Sequence, residues 1–472
     1  MNPQAAALLA ALEKWSTPVG EPWLRLQELL EKQADTAFGR TYNFSSIRSP
    51  KDFRAAMPPM DYEDHRPWIE RAANGEEGVL ACDSIVGFEK TSGTSSQAKW
   101  ISISEGLQQE FARGLAAWFA GWKQRRPEVF AGRAYWAISP PGITPEVAPG
   151  GLPVGMTNDA AYFPAEIGGK LAEWLVIPEL SGQAEAVFEE TAVALLAAPD
   201  LSVISVWSPT FLLGIDAALR RLRGEFTWRE LWPRLALVSC WADASSALWL
   251  PQLGERLGGI PIEAKGLLAA EGITSVPDAF DGSPRLAIEC HWHEFLDDAG
   301  GFTEISDLKL GRNYEVLLTT SGGLFRYRSS DRVRVLGAGA DGLPRLRFMG
   351  RAGHVSDRVG EKLSESQVLE ALLACGSRGF MVADPERPGY ILWLENIVSA
   401  GAVERVLRRN PYFDQALGLR QLAPLEVRQL PDDWGVKLTS SLAKRRGCRM
   451  GDVKLPVLLT QFDPAEVASW LD

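Results

Sequence analysis

Apolar positions in the first part of the chain recur at helical spacing. The pattern predicts helices over Gln4–Trp15 and Pro22–Thr36, and another after Ser104, through EGLQQEFARGLAAWFAGWKQ. Beyond that helix the period changes. Short apolar runs, AYWAIS (134–139), LSVISVWS (201–208), LALVSCW (235–241), PIEAKGLL (261–268) and RLAIECHWHEF (285–295), alternate with helical stretches. This alternation predicts an α/β fold around a largely parallel or mixed sheet. Next, YEVLLTTSGGLFRYRSSDRVRVLG (314–337) places two alternating runs on either side of Ser321-Gly322-Gly323, a hairpin signal. After Gly350, Ser364 followed by Gln367 reads as a capping box opening a helix. A smaller C-terminal α/β domain is expected there. It contains GYILWLEN, a helix over Val403–Leu407 and LEVRQL, then a basic loop, KRRGCRMGDVKLP, and a last short helix after Asp463.

Composition narrows the class. The chain has 472 residues, 46% hydrophobic and 23% charged, which is ordinary globular usage and suggests two or three domains at ~150 residues each. The net charge of -11 argues against a general nucleic-acid binder, which needs a Lys/Arg surface. Cys82, Cys240, Cys290, Cys375 and Cys448 are scattered without a C-x-x-C, so a reducing, cytoplasmic setting is expected and not a disulfide framework. The N-terminal MNPQAAALLAALEKW lacks a basic lead and reads as an amphipathic helix, not a signal peptide. The longest apolar stretch, TAVALLAAPDLSVISVW, is broken by Pro199 and Asp200, so no membrane span is expected.

Four segments carry candidate chemistry. FEKTSGTSSQAKWISIS (88–104) is rich in small hydroxyl residues around Gly93 and holds Lys99. Such a loop wraps polyphosphate through N–H and O–H donors, or is simply a polar surface turn. It is not a Walker A loop, since Ala98 and Trp100 stand where Gly and Ser/Thr are required. In GLLAAEG (266–272) an apolar strand end runs into Glu271, a plausible single carboxylate for Mg²⁺ beside phosphate or an ordinary loop acid. In LFRYRSSDRVRV (324–335), Arg326, Arg328, Arg332 and Arg334 alternate and so share one strand face. The run is either a salt-bridged surface or a nucleotide site in which Asp331 accepts ribose hydroxyls. Lys454, in GDVKLP, is the fourth.

Other signals fail on context. Gly337, Gly339 and Gly342 fit G-x-G-x-x-G, but Pro344 follows and no helix start does. His291 and His293 could share a strand face as metal ligands, yet no third ligand has suitable spacing among the four histidines of the chain. The cluster Lys444, Arg445, Arg446 and Arg449 reads as a solvated loop that helps steer anions.

The order of these segments resembles the adenylate-forming enzyme superfamily, and most closely the auxin-responsive acyl-acid amido synthetases (the Gretchen Hagen family) in their bacterial branch. The resemblance runs through FGRTYNFSSIRSPKDFRAAMPPMDYEDHRPWIERAANGE (38–76), FEKTSGTSSQAKWI, LPVGMTNDAAYFP, GLLAAEG, LTTSGGLFRYRSSDRV, MGRAGHVSDRVGEKLSE and MGDVKLP. It implies a large N-terminal adenylation domain over 1–353, built of α/β subdomains plus a β-barrel, and a small mobile C-terminal domain over 354–472. It implies ATP and Mg²⁺, a carboxylic acid and an amine or amino acid as small-molecule partners, and neither nucleic acid nor membrane.

Site roles follow from the same resemblance. Ser92, Gly93, Thr94, Ser95 and Ser96 would cradle the ATP phosphates with Lys99 nearby, and Glu271 would hold Mg²⁺. Tyr327 and Asp331 would bind the nucleotide, with Arg351 at the hinge side of the ribose. Lys454 would swing in toward the α-phosphate. Ser239-Cys240-Trp241-Ala242 would lie along adenine. The sequence departs from the family where Leu267 and Ala270 replace the usual Tyr and Ser, and where Ser330 replaces a usual Gly. An acyl-AMP enzyme delivering to coenzyme A or a carrier protein, and a silent binding protein of the same fold, are the alternatives. Trp118, Trp122, Met156, Trp207 and Phe211 are apolar residues that either line an acid pocket or pack the core.

Overall fold

The computed structural model describes residues 1–472 apart from 17–19, 92–98, 138–145, 157–158, 182–185, 353–354, 385–387 and 447–449. The early periodicity resolves into helices Pro3–Leu12 and Pro22–Gln33, the second ending three residues before the expected Thr36. Thr36 instead accepts from the Gly39 N–H and caps the next short helix. Ser104 caps the long helix Glu105–Arg125 by accepting from the Leu107 N–H. That helix buries Phe111, Leu115, Trp118 and Trp122, which follow one another at helical spacing along one stripe.

A four-stranded, all-parallel sheet packs beside it. Its strands are Arg133–Trp136, Leu201–Ser205, Leu237–Cys240 and Ile262–Ala264, neighbours in chain order. The expected 261–268 strand stops at Ala264, because Gly266 takes a positive φ of 88° and turns the chain. Residues 268–273 then form a small antiparallel hairpin, Leu268–Ala269 against Gly272–Ile273. A seven-stranded antiparallel sheet follows, ordered Ser275–Pro277, Pro284–Leu286, Pro344–Arg351, Tyr327–Ala338, Asn313–Thr319, Trp292–Leu296 and Phe302–Thr303. It stands where a β-barrel was expected, around its own core of Leu286, Phe295, Val316, Val333 and Leu346. The single run expected over 285–295 is two strands, and the hairpin around Gly322 is a wider turn that reverses over 320–326. Gly337, Gly339 and Gly342 lie at the turn between two antiparallel strands, away from any helix start.

The C-terminal part is a second α/β layer. Its sheet runs Glu426–Gln429, Tyr390–Leu394, Gly379–Ala383 and Leu458–Leu459. Ser364 and Gln367 form the expected capping box on helix Glu365–Cys375. The supposed basic loop is half helix: Lys444, Arg445 and Arg446 end the helix Trp434–Arg446, where cations offset the helix dipole, and Arg449 lies outside the described residues. This layer shares one continuous core with the parallel-sheet layer. Trp249 packs against Trp434 with ring centroids 4.8 Å apart and planes tilted by 40°. Gly435 permits the approach, since a Cβ there would sit 2.4 Å from the Trp249 ring. No helix among the described residues is long and apolar enough to cross a membrane.

Candidate active site

One cleft of about 670 Å³ runs between the parallel-sheet layer, the antiparallel sheet and the C-terminal layer. Its two ends differ in chemistry. At one end Phe111, Leu115, Trp118, Trp136, Phe163 and Trp207 line it, and at the other stand Asp243, Glu271, Asp331, Arg351 and Lys454. Two ring pairs line it: Trp118 meets Trp136 edge-on at 5.5 Å, and Trp207 meets Trp241 at 5.5 Å. Of the five apolar candidates, Trp118 and Trp207 line the cleft. Trp122 is buried behind it, donating from Nε1 to Glu263 at 2.6 Å, and Phe211 packs on Phe188 in the core. Met156 is buried and contributes no lining surface. Behind the aromatic wall the Lys265 ammonium lies 4.1 Å from the Trp207 ring and 5.4 Å from that of Trp136, where the ring faces attract a buried cation.

The charged end is assembled from segments far apart in sequence. Asp331 reaches it through a bulge. Opposite Glu315 and Leu317 the partner strand carries Arg332 and Arg328, so the intervening residues bulge out of register, and Ser330 takes φ 64°. A family-typical glycine at this position would adopt that conformation freely; the serine does so at a cost of about 1 kcal/mol. Because the bulge adds two residues, Arg328, Arg332 and Arg334 still share one face, as expected, opposite Leu317, Glu315 and Asn313, whereas Arg326 precedes the strand with φ 46°. Arg326 is buried against Glu294, with Nε 2.9 Å from the carboxylate, and Arg328 pairs with Glu315. Arg332 pairs with Asp298, and Arg334 donates to the Asn313 side chain. These four arginines therefore tie the sheet together and do not face the cleft. Asp331 does face it, buried and accepting from Arg351 Nε at 3.1 Å. The Asp331 carboxylate raises the Arg351 guanidinium, which stays charged.

Lys454 enters from the C-terminal layer. Its Nζ lies 4.2 Å from the Trp241 ring and 4.7 Å from that of Phe348. Withdrawal from water brings its ammonium down to about 8, although Asp331, Asp243 and Glu271 pull the other way. Asp243 is held by the Phe348 N–H at 3.0 Å, and burial raises its carboxyl above the usual range. Glu271 sits at the tip of the 268–273 hairpin, 5% exposed and lining the cleft. Leu267 and Ala270, the two departures from the family pattern, line it as well.

The remaining sequence candidates fall as follows. Ser92, Gly93, Thr94, Ser95 and Ser96 lie outside the described residues; the strands flanking them pair antiparallel with Thr91 opposite Lys99. The Lys99 ammonium lies 5.5 Å from the Tyr62 ring. Tyr327 is buried behind Asp331, and its neighbour Arg328 shares backbone hydrogen bonding with Met60. In the adenine candidate, Ser239 and Cys240 are fully buried in the parallel strand, where burial pushes the Cys240 thiol up to about 12. Trp241 is the member of that segment that lines the cleft, while Ala242 does not. Sequence reasoning missed Asp243 and Phe348, and also Phe111, Trp136 and Phe163. For Phe111 the signal was present, since it lies one helical repeat before Trp118 on the same stripe.

Sequence comparison agrees with this architecture. Residues 24–226 match the GH3 family N-terminal domain, and residues 286–351 match the GH3 family central domain. The probable indole-3-acetic acid-amido synthetase GH3.1 of Arabidopsis thaliana is 22% identical over 91% of this chain and 87% of its own. A probable indole-3-acetic acid-amido synthetase of Oryza sativa subsp. japonica, GH3.9, is 27% identical over 49% of this chain and 61% of its own. Among solved structures, the acyl acid amido synthetase AtGH3.15 in complex with 2,4-DB superposes with a TM-score of 0.80, at 18% identity, over 99% of this chain and 95% of that one. A 2-hydroxyisobutyryl-CoA ligase carrying its acyl-AMP superposes with a TM-score of 0.57, at 15% identity, over 94% and 89%. With the two domain matches spanning more than half of its 472 residues, this chain belongs to the GH3 family.

Proposed function

We propose that the chain is an ATP-dependent acyl-acid amido synthetase. It activates a carboxylic acid as acyl-AMP with release of pyrophosphate, then passes the acyl group to an amine or amino acid. One observation carries the reading: Lys454, from the C-terminal layer, stands in the same cleft as Asp331, Arg351 and Glu271, and that cleft also carries an aromatic wall. A carboxylate is a poor acyl donor because its oxygen is a poor leaving group, and AMP makes it a good one. The acid bound among Trp118, Trp136 and Trp207 would present its carboxylate toward the charged end. Its oxygen attacks the α-phosphorus, and the bond to the bridging oxygen of pyrophosphate breaks. Negative charge grows on the phosphate oxygens there. Lys454 and Arg351, fixed before the reaction, stabilise that charge more than they stabilise the ground state.

Asp331 holds Arg351 and is our candidate for the ribose hydroxyls, with Tyr327 behind it. Trp241 is our candidate for the adenine face. Ser92, Gly93, Thr94, Ser95 and Ser96, with Lys99, remain our candidates for the phosphates. Among the described residues no group of three or more His, Cys, Asp or Glu side chains could cage a metal. Of the carboxylates at the charged end, Asp331 is taken up by Arg351 and Asp243 by the Phe348 N–H, and Glu271 fits Mg²⁺, an ion content with one or two carboxylates plus phosphate oxygens. Glu271 would hold that ion, which when bound supplies charge neutralisation to the phosphates.

In the second half-reaction the amine nitrogen attacks the acyl carbon and AMP leaves. We place the division between the adenylation domain and the mobile C-terminal domain at 353–354. Rotation about 354–357 would exchange the surroundings of Lys454 for those of the amine, and it must release the Trp249–Trp434 contact. A pyrophosphate-release screen across aryl, indole and fatty acids, paired with amino acids and with coenzyme A, tests the assignment. The expected result is acid-dependent pyrophosphate with AMP and an amide product. A thioester formed in preference to any amide, or no acid-dependent pyrophosphate at all, overturns it.

A further inference from the structure

The two histidines that sequence pattern offered as metal ligands have another use. His291 and His293 are fully buried, and both reach the same residue of the 268–273 hairpin. The Ile273 N–H donates to His291 Nε2 at 2.9 Å, and the Ile273 carbonyl accepts from His293 Nε2 at 3.1 Å. In a strand, one residue's N–H and C=O point to the same edge. The hairpin partner Leu268–Ala269 occupies the other edge, where Thr274 N–H bonds to Leu267. Two imidazoles therefore stand where a third strand would. His291 is itself anchored: its Nδ1 lies 2.8 Å from Glu110, which is buried and also accepts from Arg25 and from the Ser321 N–H and hydroxyl.

The hairpin held this way has two outlets. Glu271 faces the charged end of the cleft, and the Ile273 side chain lines its aromatic end, seated against Gly114, where an added Cβ would lie 2.4 Å from Ile273 Cδ1. We propose that His291 and His293 are positioning residues: by holding both peptide groups of Ile273 they set where Glu271 stands relative to the acid pocket. The inference rests on the amido-synthetase reading for what the two ends bind, but not for the clamp. The hydrogen bonds require opposite neutral tautomers. His291 carries its proton on Nδ1, leaving Nε2 to accept, and His293 carries its proton on Nε2. Burial brings His293 down to about 3, so its ring stays neutral across the working range.

The test has two arms on the full chain. His65 is buried too, so nitrogen-15 spectra of the histidine-labelled protein are assigned by single substitutions; His291 and His293 should then appear as opposite neutral tautomers, and the same tautomer in both overturns the clamp without any activity measurement. Next, His293→Leu removes the donor at similar volume, and His293→Gln keeps one. The Leu variant should speed amide exchange at 272–274 by about tenfold. It should raise both the Mg²⁺ needed for half-maximal Mg·ATP binding in calorimetry and the KM for the acid, also by about tenfold, with the Gln variant within about threefold of wild type. Wild-type values in the Leu variant overturn the positioning role. So do equal losses in both variants that merely track a fall in Tm. If no acid supports pyrophosphate exchange, the functional reading fails while the tautomer and exchange results still decide the clamp.

Discussion

The two ends of the cleft are built by opposite physical means. The aromatic end is made by packing: Phe111, Leu115 and Trp118 come from one helix stripe, and Trp136 and Trp207 from the ends of adjacent parallel strands. Each ring is fixed by many weak contacts, and losing one leaves the rest in place. The charged end is made by mutual support between distant segments. Asp331 needs its bulge and Arg351, and Lys454 needs a separate layer docked through Trp249 and Trp434. Here each group is partly desolvated, so removal of one alters the balance of all. The contrast suggests that the aromatic end grades affinity for the acid, whereas the charged end governs whether chemistry occurs.

The sharpest way to break this contrast is Lys454→Ala. Acid-dependent pyrophosphate exchange should fall by about 10²–10³-fold, the scale of one lost transition-state donor, with Tm within about 3 °C of wild type. Wild-type exchange would remove Lys454 from the mechanism. Smaller is the effect expected at the other end. Trp207→Ala should raise the KM for an aromatic acid by about tenfold, equivalent to about 1.4 kcal/mol, with the KM for ATP unchanged in steady-state assays. An equal rise for ATP would show that the two ends are not separable.

Smallest is a pH effect confined to the charged end. Lys454 is an ammonium below about 8 and increasingly an amine above it. ATP affinity in calorimetry should therefore weaken as pH rises from 7 to 9, by about threefold, because the neutral amine no longer attracts phosphate. Lys454→Met should abolish the slope. A slope retained in that variant would assign it to another group.

Much of this was legible in the chain, for reasons tied to particular residues. Ser104 and Ser364 announce their helices because a side-chain oxygen at that position satisfies free N–H groups of the first turn. The parallel strands announce themselves as apolar runs broken only by small serines, because both faces are covered. Glu271, Asp331 and Lys454 could be selected by chemistry and order along the chain, Arg351 by the family resemblance, and all four line the cleft. Alternation placed Arg328, Arg332 and Arg334 on one face correctly, but not Arg326, which precedes the strand with φ 46° and is buried against Glu294.

The sequence by itself determined most of the elements, several helix starts and the family of chemistry, because periodicity, caps and turn residues act within a few residues of one another. Only the tertiary structure decided that Asp331 meets Arg351, that Lys454 lies against Trp241, and that His291 and His293 grip Ile273 instead of a metal. Those outcomes depend on where segments tens to hundreds of residues apart come to rest. Burial and hydrogen-bond satisfaction across the whole core set that placement, and no local pattern encodes it.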